Sequence, residues 1–309
     1  MKPFRKNIAL AIDGGGIKGI IAAKALTILE REVGQPVGSF IRMSAGTSTG
    51  AIISAGIASG LSAEHLLKLY IELGSDIFKS SWRTRLFPVS RFRYDPEPLT
   101  AALTRYVGNP TLGDIWERIP RVDLVLTTFD VVTNKTRFIK PWKSEYKNWP
   151  LVQAILASSS VPTYFPPVAG RYIDGGVGSY ANPCYLAAYE AQYCLEWSPA
   201  DTTIISLGTG RDPHYLETGQ ADRWFAWQWL SPLLGAFLHS ADDQQVGLTH
   251  HLFKDIDFRR FQVDLMEPVA MDRIDDLDLL VHYGEIMGEK IRNNDTELPP
   301  DFKIAQPPF

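Results

Sequence analysis

Cysteine is scarce in this 309-residue chain, with two in all. Cys184 and Cys194 fall in one expected helical run, where ten residues of rise separate them by about 15 Å, too far for a disulfide. A disulfide framework is excluded, and two free thiols fit a reducing cytoplasm. Neither sign of charge is in excess: 31 Lys and Arg against 35 Asp and Glu leave a net −4, so bulk charge gives no reason to expect nucleic acid as a partner. No uninterrupted apolar window of about 18 residues occurs, so no transmembrane helix is expected. The apolar run after the basic Met1–Asn7 segment stops at Asp13, too short for a signal peptide. Internal repeats are missing as well. What remains is globular, 45% hydrophobic and 21% charged. The length suits one catalytic domain with insertions, expected over 1–293, and then a Pro-rich, poorly ordered tail over 294–309.

Gly46-Thr47-Ser48-Thr49-Gly50 reads G-x-S-x-G. The apolar run Phe40–Met43 before it predicts a strand, and the small apolar run Ala51–Ala58 after it predicts a helix. A serine at such a turn holds its hydroxyl exposed at a strand end, and the glycines let the backbone cross over itself. Taken alone, the pattern is equally a Gly/Ser/Thr surface loop. Upstream, Gly14-Gly15-Gly16-Ile17-Lys18-Gly19 lies between an expected strand, Asn7–Ile12, and a helix, Ile20–Val33. Gly14, Gly16 and Gly19 also match the dinucleotide fingerprint G-x-G-x-x-G. That fingerprint wants an acid at the end of the second strand, and Ser44-Ala45-Gly46 stands there instead. No nucleotide cofactor is therefore expected, and no metal. The glycine-rich turn keeps a simpler meaning: it exposes backbone N–H groups to a phosphate or to the oxyanion of an acyl intermediate.

Further along, Ser62–Gly74 and Pro98–Val107 read as helices, Val122–Thr128 as a strand, and Val131–Ile139 as a strand pair turned at Asn134-Lys135. Leu151–Ala157 predicts a short helix. Arg171-Tyr172-Ile173 is a short strand ending in Asp174-Gly175-Gly176, with a helix Cys184–Leu195 after Asn182-Pro183 and a strand Thr203–Leu207 beyond it. The recurring strand–glycine–helix rhythm predicts an α/β fold with a largely parallel sheet, its functional groups gathered at the carboxyl ends of the strands. Asp275–Ile291 reads as a final amphipathic helix.

Two stretches have double meanings. Between Phe78 and Tyr94, basic residues alternate with aromatics. This is an irregular surface loop anchored by its aromatics, or a phosphate or headgroup contact through Arg83, Arg85, Arg91 and Arg93. Arg223–Leu238 carries Trp224, Trp227 and Trp229. It reads as a core-facing helical hairpin broken at Pro232, or as an interfacial lid over an acyl-chain channel.

A nucleophilic serine needs a base. None of the six histidines sits in a turn-and-glycine context, and only His250 or His251 could enter a late-loop triad. Ser48 also follows a single βα unit, too early for the usual hydrolase order. Asp174 is the stronger candidate base, with the amides of Gly14, Gly15 and Gly16 as oxyanion donors.

Several motifs in order now resemble the patatin-like phospholipase family. Asp13–Gly19 resembles its D-G-G-G-x-R-G block, Gly46–Gly50 its elbow, and Ala157–Pro167 its A-S-S-A-x-P-x-x-F-x-P segment. Asp174-Gly175-Gly176 resembles its D-G-G/A motif, Asn182-Pro183 the N-P that follows, and Ser206–Gly210 its S-L-G-T-G strand. The resemblance covers about residues 8–210. It implies a three-layer α/β/α fold, a Ser48–Asp174 dyad, and calcium-independent hydrolysis of acyl lipids; together with the free thiols, the expectation is a cytoplasmic enzyme that meets membranes peripherally. Some bacterial members are switched on by a cyclic nucleotide, so a small activating ligand is a second expectation. A lipid-binding protein with a relic site is a third, which the intact Ser48 and Asp174 oppose. Lys18 replaces the family's Arg, keeping the charge for a headgroup or phosphate contact without the planar fork. Ala181 replaces a common Asn.

Overall fold

The computed structural model describes residues 1–77, 84, 87, 89–213, 216–229, 232–233, 236 and 242–297, apart from the side chains of 73, 75–76 and 226–227. The first strand sets the layers. β1 (Asn7–Ile12) is buried throughout. Its alternation sends Ile8, Leu10 and Ile12 to one face and Ala9 and Ala11 to the other. The large side chains join the bigger core, with helices Gly19–Val33, Thr49–Ala58, Ala63–Ile77 and Leu277–Asn293. The alanines allow helix Cys184–Tyr189 to pack close on the second face, where helix Asp242–Leu252 lies against it. A sheet covered by helices on both faces is the three-layer α/β/α arrangement. Among the described residues no helix is long and apolar enough to cross a membrane.

The other strands are β2 (Met43–Gly46), β3 (Asp123–Asp130), β4 (Lys135–Ile139), β5 (Tyr172–Asp174), β6 (Thr202–Leu207) and β7 (Asp257–Phe261). Their order is β4-β3-β2-β1-β6-β7, with β5 also on β3. Pairing is parallel except for β4 and β5, which run antiparallel to β3. One detail of register positions the chemistry. β2 follows β3 as far as Gly46 opposite Leu126. β5 comes from the other direction and stops with Asp174 opposite Thr128. Since β4 takes the far side of β3 over these residues, the two chain ends meet head-on, across Thr127.

Several local expectations change. Val37–Phe40 is a helical turn, so β2 starts later than the apolar run Phe40–Met43 suggests and is built largely of Ser44, Ala45 and Gly46. Small side chains suffice because both faces are covered. β3 extends to Asp130, and 131–134 is the turn to β4, not strand. The Asp130 carboxylate accepts the N–H groups of Val132 and Thr133, and Asn134 takes a φ of 53°. The helix from Cys184 ends at Tyr189 and continues as a π-turn, Glu190–Cys194, leaving Cys184 buried and Cys194 exposed, both free. The first half of the expected helical hairpin at Arg223–Leu238 is 3-10 turns, Gln220–Arg223 and Ala226–Trp229, with Trp224 and Trp229 edge to face at 5.2 Å, while the described residues beyond, 232, 233 and 236, are helical and Leu233 is exposed, not core-facing. The tail begins fastened: the Glu297 N–H donates to the Arg260 carbonyl at 2.8 Å, and its carboxylate pairs with Arg211. The rest of the tail, 298–309, lies outside the described residues.

Candidate active site

β2 ends at Gly46 and helix Thr49–Ala58 begins two residues after Thr47, so the chain must reverse at Ser48. It does so with φ 55° and ψ −122°, a conformation a side chain adopts at a cost of about 1–3 kcal/mol. The glycines of the motif permit the crossing. A Cβ on Gly46 would run into the Gly50 carbonyl, and one on Gly50 into the Ile12 carbonyl. Ser158 and Ser159 hold the turn from both sides: Ser158 Oγ accepts the Ser48 N–H at 3.1 Å, and Ser159 Oγ donates to the Ser48 carbonyl at 3.0 Å. Thr47 fixes the approach, its hydroxyl bonding to the Tyr180 carbonyl and to Thr127 Oγ1 at 2.7 Å.

Asp174 arrives at the same place from β5 and is fully buried. Its Oδ1 accepts the Gly176 N–H at 2.8 Å, while Oδ2 is buried and makes no hydrogen bond of ordinary geometry. Burial lifts its pKa to about 6, against the opposing pull of the nearby Ser48 hydroxyl and the Gly176 amide. The Ser48 hydroxyl is thus close enough to be felt, with one carboxylate oxygen still open to it. Catalytic hydrogen bonds are often loose before substrate binds.

The glycine-rich turn lies alongside: a Cβ on Gly14 would come within 3.2 Å of Ser48 Cβ. Its three amides are not equivalent. The Gly14 N–H already donates to the Ala181 carbonyl at 2.8 Å, so Gly14 is removed from the expected set of oxyanion donors. Among the described residues the N–H groups of Gly15, Gly16 and Thr49 donate no hydrogen bond. Thr49 is the residue after the serine and opens the following helix, where free amides are usual; the G-x-S-x-G pattern carried that signal.

An apolar cleft opens over Ser48. Gly16, Ile17, Ile52, Tyr70, Leu99 and Phe165 are among its walls, and its volume is about 560 Å³ with the mouth included. At the rim, the Arg93 guanidinium lies over Tyr164, another lining residue, at 4.9 Å and pairs with Asp272 at 3.5 Å. Arg91 is exposed nearby in sequence. Arg83 and Arg85 lie outside the described residues. Lys18 does not reach a headgroup: it is 1% exposed and paired with Asp212 at 2.5 Å, because the 3-10 turn Gly16–Lys18 points it inward. No described residue of the Trp224–Trp229 segment lines the cleft, and the Trp227 side chain is outside the description. His250 and His251 are exposed on helix Asp242–Leu252, and neither lines the cleft.

A second, polar cavity of about 630 Å³ lies behind the glycine turn, bordered by Asp13, Gly14, Asn182, Arg211, Asp212 and Asp242, among others. Beside it Arg260 is 1% exposed. Its two terminal nitrogens donate to both Asp13 oxygens at 2.9 and 2.6 Å, to both Asp242 oxygens at 3.0 Å, and to Ser206. Sequence reasoning missed Arg260, since Asp257-Phe258-Arg259-Arg260-Phe261 looks like a solvated strand.

The match of a family model, patatin-like phospholipase, covers residues 10–188. An intracellular phospholipase A2 of Caenorhabditis elegans is 30% identical over 66% of this chain and 19% of its own length. A cGAMP-activated phospholipase of Vibrio cholerae is 30% identical over 65% of this chain and 63% of its own. The chain thus spans less than two thirds of these relatives. The crystal structure of VipD from Legionella pneumophila superposes with a TM-score of 0.50 at 11% identity, over 94% of this chain and 67% of VipD, a likeness of fold.

Proposed function

This chain belongs to the patatin-like phospholipase family, and from that premise we propose that it is a lipid acyl hydrolase working through a Ser48–Asp174 dyad. The observation that carries the reading is the pairing of a strained, buried Ser48 at the base of an apolar cleft with a buried Asp174 that feels the Ser48 hydroxyl and keeps Oδ2 free of other hydrogen bonds. In the proposed reaction an acyl chain lies in the cleft and Ser48 Oγ attacks the ester carbonyl. Asp174 takes the hydroxyl proton, and the Gly15 and Gly16 amides, joined by Thr49 N–H, receive the developing oxyanion. Asp174 then returns the proton to the leaving alcohol. Water attacks the acyl-serine with Asp174 again as base, releasing the fatty acid and regenerating Ser48. No step needs calcium. A carboxylate with a pKa of about 6 is a better base near neutral pH than an ordinary aspartate, while still ionised there.

The substrate class proposed is a phospholipid or other acyl lipid at a membrane surface facing the cytoplasm, with Arg93 offered to its phosphate. Fluorophosphonate labelling tests the core of the reading. The expected result is one adduct on Ser48, lost in Ser48→Ala together with release of fatty acid from phosphatidylcholine vesicles. A folded Ser48→Ala variant that still hydrolyses them would overturn it. A second reading, activation by a small cyclic nucleotide, is favoured by the Vibrio relative's description. Calorimetry with cyclic dinucleotides decides it: heat of binding with a rise in hydrolysis supports activation, and its absence refutes it.

A further inference from the structure

The proposed reaction uses no charge behind the glycine turn, yet the largest fully buried side chain in the described structure, Arg260, is there. Burying a guanidinium is costly unless every neighbour answers it. Here the answering groups come from widely separated elements. Asp13 follows β1 and leads directly into Gly14. Asp242 opens helix Asp242–Leu252, and Glu297 follows the last helix, its carboxylate 3.7 Å from Arg260 Nε. The Asp242 carboxylate is shared: Asn182 Nδ2 donates to it at 2.6 Å, and Asn182 Oδ1 accepts the Cys184 N–H at 2.9 Å. Asn182 is also the residue after Ala181, whose carbonyl accepts the Gly14 N–H at 2.8 Å. Thr209 Oγ1 donates to the Gly14 carbonyl at 2.7 Å.

These bonds form a closed circuit. One path runs from the glycine turn through Asp13, Arg260, Asp242 and Asn182 to the segment that follows Asp174. The other is the direct Gly14–Ala181 bond. Two paths between the same two segments restrain their relative position and orientation where one would leave a hinge. The oxyanion amides sit on the first segment, and the base begins the second.

We propose that Arg260 is a positioning residue of the hydrolytic site: through Asp13 it sets the turn that presents the Gly15 and Gly16 amides, and through Asp242 and Asn182 it ties that turn to the Asp174 segment. The inference rests on the hydrolase reading above and adds to it a residue that touches neither substrate nor reacting atoms. The expected signature is selective. A turn that drifts by about 1 Å loses transition-state stabilisation, on the order of 10²-fold, and leaves ground-state binding in the apolar cleft intact.

The test compares Arg260→Met, Arg260→Lys and Asp242→Asn with the parent chain, using a p-nitrophenyl ester and a trifluoromethyl ketone that forms a tetrahedral adduct with serine. For Arg260→Met the expectation is a fall in kcat of about 10²-fold, KM within threefold, and a parallel loss of ketone affinity. Arg260→Lys is expected to recover part of each, since it restores one charged contact of several. A folded Arg260→Met variant with unchanged kcat and ketone affinity would overturn the proposal, as would kcat and KM moving together. If Arg260→Met does not fold, Asp242→Asn decides: a kcat loss with KM held supports the brace, and full kcat with full ketone affinity refutes it. Ser48→Ala separates the layers of argument, because activity surviving that change removes the hydrolase reading itself.

Discussion

Two cavities of similar size, about 560 and 630 Å³ with their mouths, border opposite ends of one glycine turn. Gly16 borders the first, whose walls are almost wholly apolar around Ser48. Asp13 and Gly14 border the second, lined with carboxylates and backed by Arg260. Beside each lies a buried aspartate, Asp174 next to Ser48 and Asp13 on the second cavity's wall, and burial is the leading cause of a raised pKa in each, to about 6 for Asp174. The remaining causes differ. Asp174 meets only dipoles, the Ser48 hydroxyl and the Gly176 amide. Asp13 meets a full positive charge from Arg260 and the opposing charges of Asp242 and Glu297. A carboxylate met by dipoles alone can take and give a proton without breaking an ion pair. One locked into an ion-pair network holds a shape. On the proposed reading, the same residue type serves chemistry on one side of the turn and architecture on the other.

The largest expected effect that would break this contrast is in Asp174→Asn. Activity on an ester should fall by roughly 10⁴–10⁶-fold, the range that loss of the orienting acid or of the base spans in serine proteases. Stability should move the other way. The folded pKa lies above the unfolded value of 3.8, so the ionised form destabilises the fold progressively as pH rises from about 4 to about 6, and fully above that. Removing the charge should therefore stabilise the protein at pH 7–8 by as much as about 3 kcal/mol. Thermal melts at pH 4 and pH 8 check this, with gain expected only at the higher pH. A variant destabilised at both would show that Asp174 is structural. Next in size is Gly16→Ala. Gly16 holds φ 62°, and a Cβ there would strike the Met271 carbonyl. The turn must move, and kcat should fall about 10²–10³-fold with KM little changed. Equal loss in both would argue against an oxyanion role. The smallest effect is with pH. Between pH 7 and 5, kcat/KM should fall about tenfold as Asp174 takes a proton. The midpoint should stay near 6 in Asp13→Asn, even if the rate is lower. A midpoint that shifts with Asp13 would move the titrating group to the other side of the turn.

The difference between the two sides also explains what could be read from the residues alone. Gly46, Ser48, Gly50 and Asp174-Gly175 announce themselves because a sharp reversal or a close approach excludes side chains, a local rule visible in a few letters. The α/β layering was legible from the repetition of such turns. Arg260 was not, since the groups that neutralise it come from the two ends of the chain and from Asp242. Lys18 misled for the same reason: its partner Asp212 is remote in sequence, so a buried ion pair looked like a free cation. The glycine-rich turn was legible, but which of its amides are free depended on Ala181, a residue noticed only as a departure from a motif. β2 was misplaced because its strand residues are too small to look like one.

The head-on meeting of β2 and β5 across Thr127 has a consequence for when the proposed dyad can form. Ser48 and Asp174 are separated by residues 49–173, and neither strand touches the other except through β3. Closing that long loop carries an entropic cost that must be met before the two residues come together. A nascent chain that has emerged only as far as β3 holds Ser48 without Asp174. On the proposed reading, hydrolytic competence therefore waits for β5 to dock on β3.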